Sequence, residues 1–203
     1  PPHRWTPNRF TPLPGTSTIS AHEFEVFVAE LFESTRSSVD NLHVTVHDQV
    51  AGVDGTYEFD ATIRYRLLGM DFVVLVEAKR HANPIKREHV QALHSKLQSV
   101  GAHKAVLVAT SYFQSGAIAF AKTHGIALVT VTEGRFTYET KSIDHPPQLS
   151  RDQAAEHFGL PTFVGHCFSA GDDAGTTHVT LMSTEHPEYV AELLLALPSV
   201  PLS

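Results

Sequence analysis

Apolar and polar positions along this chain repeat with two different periods, and together they predict an α/β order of elements. Phe24, Phe27, Val28, Leu31 and Phe32 recur at helical spacing, which places one stripe of a first helix against a core. Ser20 and Glu23 predict a capping box at its start, with Ile19 and Phe24 as a hydrophobic staple. Residues 43–50 alternate weakly as a first strand, and residues 56–66 and 71–80 read as two further strands with a turn around Gly69. After Asn83 and Pro84, a helix over residues 86–100 carries Val90, Leu93, Leu97 and Val100 on one stripe and stops at Gly101. Short β-branched runs at 104–109 and 126–131 each follow a helix closed by glycine, Gly101 and then Gly125. The order α-β-β-β-α-β-α-β implies a mixed sheet, antiparallel through the hairpin and parallel where helices cross over.

From Asp144 the character changes. His145, Pro146 and Pro147 read as a linker, followed by a short helix at 151–158, one or two strands within 162–182 and a helix at 187–197. The expected organisation is an N-terminal extension (1–18), a core domain (19–143) and a small acidic α+β extension (144–203) whose role the sequence does not assign. The stretch 171–175 reads as a loop, and Leu193 to Leu195 as a packing face.

At 203 residues and 42% hydrophobic content the chain can bury one sizeable core. No apolar run approaches the roughly 18 residues that span a bilayer, and the first residues lack a signal-peptide apolar region, so no membrane association is expected. The lone cysteine, Cys167, excludes an internal disulfide framework and fits a reducing cytoplasm. Fourteen histidines invite a zinc reading, but His43 and His47 lie in a predicted strand, and His166-Cys167 lacks a second cysteine-containing half.

The net charge of −7 is unevenly distributed. Residues 1–140 hold 13 Lys and Arg against 14 Asp and Glu, while residues 141–203 hold 2 against 8. Between Lys79 and Lys104 lie Lys79, Arg80, Lys86, Arg87, Lys96 and Lys104 against Glu88 alone, a basic stretch able to track phosphates.

That stretch begins where the apolar run 71–80 ends in Glu77, Ala78 and Lys79. A strand buried on both faces should not end in a carboxylate and an ammonium without a reason. A second carboxylate, Asp60, lies upstream. A two-residue turn at Leu68-Gly69 sets Asp60 opposite Glu77, whereas a turn at Gly69-Met70 sets it opposite Lys79. Strand alternation puts residues 77 and 79 on one face, so either register gathers Asp60, Glu77 and Lys79, unless a bulged loop intervenes. The ordinary alternative is a surface ion pair at a strand end; Asp60 on the same face favours a site. Two carboxylates and a lysine suit a hard cation such as Mg2+, whose Lewis acidity assists phosphodiester hydrolysis.

These residues resemble the PD-(D/E)xK nuclease superfamily and, within it, the Mrr-like restriction endonuclease group. Asp60 followed by Glu77-Ala78-Lys79 matches the acidic residue plus ExK signature. Phe24-Glu25 is similar to the family's early helical pair, Gly52-Val53-Asp54-Gly55 to its glycine-rich approach, and Val108 to Ser111 with Phe113 to the strand and turn beyond. The resemblance covers residues 19–132. One departure is that Thr56, Tyr57, Glu58 and Phe59 separate Gly55 from Asp60, so Asp54 competes for the carboxylate position. An aspartate between glycines is ordinarily a turn residue bonded to its own backbone.

The resemblance implies a restriction-endonuclease-like α/β fold, with helices flanking a mixed central sheet. It also implies a Mg2+-dependent endonuclease, with Mn2+ as a substitute, acting on DNA in restriction or defence. Asp60, Glu77 and the carbonyl of Ala78 would be metal ligands, and Lys79 would position or activate water. Glu25 and Gln91 would be accessory, and Arg80, Lys86 and Arg87 would meet the nucleic acid. A structure-specific junction or repair nuclease shares the same core, and a non-catalytic nucleic-acid-binding or assembly module is the reading of another class. No separate DNA-reading domain is visible, so the target would be set by the acidic segment after Asp144, by a partner or by residues outside this chain; a homodimer or a separate targeting partner is the expected association.

Overall fold

The first helix, α1 (Ala21–Glu33), starts where the sequence places a capping box. The Ser20 hydroxyl accepts from the Glu23 N–H at 3.1 Å and the Glu23 carboxylate accepts from the Ser20 N–H at 2.7 Å, so two helix-end donors are satisfied reciprocally. The computed structural model describes residues 20–37, 39–133, 163–170 and 177–195. The expected staple residue Ile19, the 1–18 extension, the linker at 145–147, the helix at 151–158 and the loop at 171–175 lie outside them.

A 3-10 turn (Ser34–Ser37) leads into β1 (His43–Ala51), β2 (Thr56–Leu67) and β3 (Met70–Lys79). The turn between β2 and β3 holds two residues, Leu68 at φ 51° and Gly69 at φ 81°. Positive φ at both positions is the type I′ geometry that matches strand twist. The register runs from Leu67↔Met70 to Ala61↔Val76, the first of the two sequence alternatives. Leu68 is 89% exposed, so its side chain gains little from burial while its backbone occupies a region costly for L-residues. Leu68→Asn is expected to raise stability by about 1 kcal/mol, read as a higher urea midpoint with an unchanged slope.

Beyond β3 come α2 (Arg87–Val100), β4 (Lys104–Ala109), α3 (Ser115–His124) and β5 (Ala127–Glu133). Gly101 and Gly125 close the two helices in the left-handed conformation, at φ 69° and 67°, as their positions predict. β3, β4 and β5 pair in parallel. Two strands and a helix of the C-terminal segment follow: β6 (Phe163–Ala170), β7 (Thr177–Met182) and α4 (Pro187–Leu195). β6 pairs antiparallel with β5, and β7 with β6. The described strands form one mixed sheet in the order β1 to β7.

One face of the sheet packs against α1 and α4 through Ile63, Tyr65, Val74, Val76, Val106 and Val108. The other packs against α2 and α3 through Leu75, Ala105, Leu107 and Ala109. The last turn of α4 is fastened to the sheet, since the Leu194 carbonyl accepts from the Tyr65 hydroxyl at 2.7 Å and from Lys104 Nζ at 2.6 Å. Burial pushes the Lys104 ammonium below its usual pKa. The sequence groups Lys104 with a phosphate-tracking stretch; the structure uses it to cap a helix end.

Candidate active site

β2 changes face midway. Ala61, Ile63 and Tyr65 pack toward α1, but Phe59 packs toward α2, although strict alternation would keep all four on one side. The β1–β2 register passes from Val46↔Ala61 to Asp48↔Phe59 and skips His47 and Asp60. His47 there adopts φ 48°. Both strands of the ribbon therefore bend at the His47–Asp60 step. Past the bend the ribbon leans on α2: Val53 N–H donates to the Ser99 carbonyl at 3.0 Å, and Tyr57 and Val50 join the α2 cluster. Backbone pairing of β2 with β3 stops at Ala61↔Val76, so the strands part where Asp60 and Glu77 come next.

Asp60 bridges this opening. Its Oδ2 accepts from the Ala78 N–H at 2.6 Å, so a side chain satisfies a strand donor beyond the last backbone pair. Glu77 follows Leu75 onto the α2 face and is 7% exposed. A carboxylate buried to this degree requires charged partners, and it has two. Lys79 Nζ donates to Oε2 at 3.0 Å, and Lys96 Nζ, from α2, donates to Oε1. Burial alone would raise the Glu77 pKa, but the hydrogen bonds and charges of Lys96 and Lys79 outweigh it and hold the carboxyl below its ordinary range. Lys96 Nζ also lies 5.3 Å from the centre of the Phe59 ring, a cation–π distance.

Asp60, Glu77 and Lys79 thus surround one end of β3. The sequence marks Lys96 only as part of a basic stretch, and Gln91 is the helix residue that the family resemblance offers as an accessory, against a plain surface residue; Gln91 is exposed, and the α2 side chain that bonds Glu77 is Lys96. The available signal is weak: Lys96 directly precedes Leu97 and so borders the apolar stripe. Glu25 approaches the bend from α1, with its Oε2 3.6 Å from His47 Nε2. Asp54 is engaged in the β1–β2 turn, where its carboxylate accepts from the Tyr57 hydroxyl at 2.8 Å and from the Ser99 hydroxyl; these two bonds lower its pKa.

The segment after Lys79 is stitched to the end of β4. Thr110 N–H donates to the Lys79 carbonyl at 3.2 Å, the Ser111 hydroxyl to the Asn83 carbonyl at 2.8 Å, and Ile85 N–H to the Tyr112 carbonyl at 2.9 Å. This gives the Val108 to Phe113 stretch a structural role, holding the loop that carries Arg80 and Lys86. Arg80, Lys86 and Arg87 are exposed. Lys86 takes the N-cap position of α2, and the Arg87 guanidinium lies 5.1 Å from the Phe120 ring centre. On the hairpin, Arg64 pairs with Asp48 at 2.7 Å and Arg66 with Asp71 at 3.2 Å.

Among the described residues no group of three or more His, Cys, Asp or Glu side chains gathers as a metal cage. Asp60 engages Ala78 through one carboxylate oxygen, and Glu77 stands across the strand opening. Together with the Ala78 carbonyl they make a sparse set of hard oxygen donors, which fits a small divalent ion that keeps most of its waters.

Of the curated proteins, none matches this chain. Two solved structures are similar to part of it. One is the crystal structure of AF1548, a protein of unknown function, at 19% identity and a TM-score of 0.43, covering 51% of this chain and 54% of that one. The other is the DNA modification-dependent restriction endonuclease AspBHI, at 23% identity and a TM-score of 0.35, covering 51% of this chain and 27% of that one. The chain therefore matches about half the length of the first and about a quarter of the second. The family model Mrr_cat, described as restriction endonuclease, matches residues 16–133, more than half of the chain. That span runs through α1 to β5 and includes Asp60, Glu77 and Lys79, and on this match the chain belongs to the Mrr-type restriction endonuclease family.

Proposed function

We propose that this domain is a Mg2+-dependent endonuclease that hydrolyses phosphodiester bonds in DNA, with Mn2+ able to substitute, and that it serves restriction or defence. The observation that carries the reading is the gathering of Asp60, Glu77 and Lys79 where β2 leaves β3, in a chain of the restriction endonuclease family. Asp60, Glu77 and the Ala78 carbonyl would hold the cation. A divalent ion held there would make water a better nucleophile and offset charge developing on the phosphate. Lys79, next to Glu77 on the same strand face, would orient the attacking water and balance the phosphate's extra charge. Asp60 does double duty: its bond to Ala78 fixes the strand end that presents the other donors.

Incubation with plasmid, single-stranded DNA, RNA and branched DNA tests the substrate class. Cleavage of duplex plasmid supports the reading. Cutting confined to branched DNA would move the function to a junction or repair nuclease, and binding without cutting of any of the four would leave a non-catalytic module.

Arg80, Lys86 and Arg87 are the proposed phosphate-binding residues. Neutralising all three in an Asp60→Ala background, so that cleavage does not obscure the titration, is expected to weaken binding across sequences. The slope of log affinity against log salt should flatten by up to about 0.9 for each phosphate no longer neutralised. An unchanged slope would place the phosphate track elsewhere, with the Arg64 and Arg66 face of the hairpin as the next candidate.

A further inference from the structure

Both oxygens of Glu77 are taken by ammonium groups, Oε2 by Lys79 and Oε1 by Lys96. A cation entering between Asp60 and Glu77 would share one of those oxygens and meet two positive charges beside it, and that repulsion favours the withdrawal of one lysine. Lys79 is poorly placed to leave. It sits two residues from Glu77 on the same strand, with its backbone carbonyl bonded to Thr110, and strand geometry keeps its stem beside the carboxylate. Lys96 reaches in from another element on a four-carbon stem, and the Phe59 ring, 5.3 Å from its Nζ, offers it a second electrostatic partner once the carboxylate is released.

We infer that Lys96 is a built-in counter-cation, which holds Glu77 in the metal-free protein and yields that oxygen to the divalent ion, so that metal binding and the Lys96–Glu77 ion pair exclude one another. The inference rests on the reading of Asp60 and Glu77 as metal ligands. It gives Lys96 a role distinct from that of Lys79: a positioning residue that holds the buried Glu77 carboxylate in place until the metal arrives. It also explains why an α2 lysine lies over a ring that the bend in β2 turns inward.

The test needs no DNA. Calorimetric titration of Mn2+ into the full chain compares wild type with Lys96→Met, Lys96→Arg and Asp60→Asn. Removing the competing charge is expected to tighten Mn2+ binding on the order of tenfold in Lys96→Met, while Lys96→Arg binds no more tightly than wild type and Asp60→Asn binds more weakly. A second measurement uses the wild-type protein alone: acetylation of Lys96, followed by mass spectrometry, is expected to rise several-fold on saturation with Mn2+. Equal or weaker Mn2+ binding by Lys96→Met, or Lys96 labelling that stays level or falls with metal, would overturn the inference. If Asp60→Asn binds Mn2+ as wild type does, the metal-site reading falls with it; if Asp60→Asn is weakened and only the Lys96 results fail, the counter-cation role alone is lost.

Discussion

Lys79→Ala is expected to lower Mg2+-dependent DNA cleavage by about two to three orders of magnitude, the range typical for loss of one preorganised charge at a reacting centre. The fold should survive, because Glu77 keeps Lys96 as a partner and Lys79 is a partly exposed side chain at a strand end. Asp60→Ala should abolish cleavage to a similar extent, but it also strips the Ala78 N–H of its acceptor, which adds a stability cost of about 1–3 kcal/mol if that donor is left unsatisfied. Since lysine and metal ligands act on one step, the double variant should be scarcely worse than either single one. Single-turnover rates on a defined duplex, with circular dichroism melts of the same preparations, check both parts. A Lys79→Ala protein that cuts at the wild-type rate would remove Lys79 from the chemistry while leaving the fold assignment intact.

The largest effect on stability is expected at Phe59. Its ring is 1% exposed, packs in the α2 cluster with Leu75, Val90 and Leu93, and carries Lys96 above it. Phe59→Ala deletes most of that volume at the bend that separates β2 from β3 and should cost about 3–5 kcal/mol, the usual range for a buried phenylalanine. Phe59→Leu, which keeps much of the bulk but no aromatic face, should cost less. Urea unfolding of the three proteins measures this. A loss below about 1 kcal/mol for Phe59→Ala would show that the cavity collapses freely, and would mean that the bend is held by something other than this ring.

The contrast between these two residues marks how far the sequence reaches. The helices are legible from Phe24, Phe27, Val28 and Leu31 on one side and from Val90, Leu93 and Leu97 on the other, because an amphipathic period records burial directly. The hairpin register that carries Asp60 to the end of β3 is legible as well, since a short turn around Gly69 leaves two alternatives and the positive φ of both Leu68 and Gly69 selects one of them. The bend is not legible. It depends on His47 taking a left-handed backbone and on both strands changing face together, whereas a pattern read one strand at a time assumes that alternation persists. Lys96 escapes the sequence for the same reason: its partners Glu77 and Phe59 come together only after the ribbon folds onto α2. One or two strands are expected within 162–182, where β6 and β7 form, but their addition to the edge of the core sheet beside β5 is a matter of long-range pairing, which local periodicity does not encode.

The most direct test of the central claim is cleavage of supercoiled plasmid by the wild-type chain and by Asp60→Asn, each with Mg2+ and with excess chelator. Asparagine retains an oxygen able to accept from Ala78 and removes the negative charge, so it separates metal binding from strand support. Nicked or linear product is expected from the wild type with Mg2+ only, and none from Asp60→Asn in either condition while its melting curve stays close to wild type. Plasmid cut equally well by Asp60→Asn, or by the wild type in chelator, would contradict it.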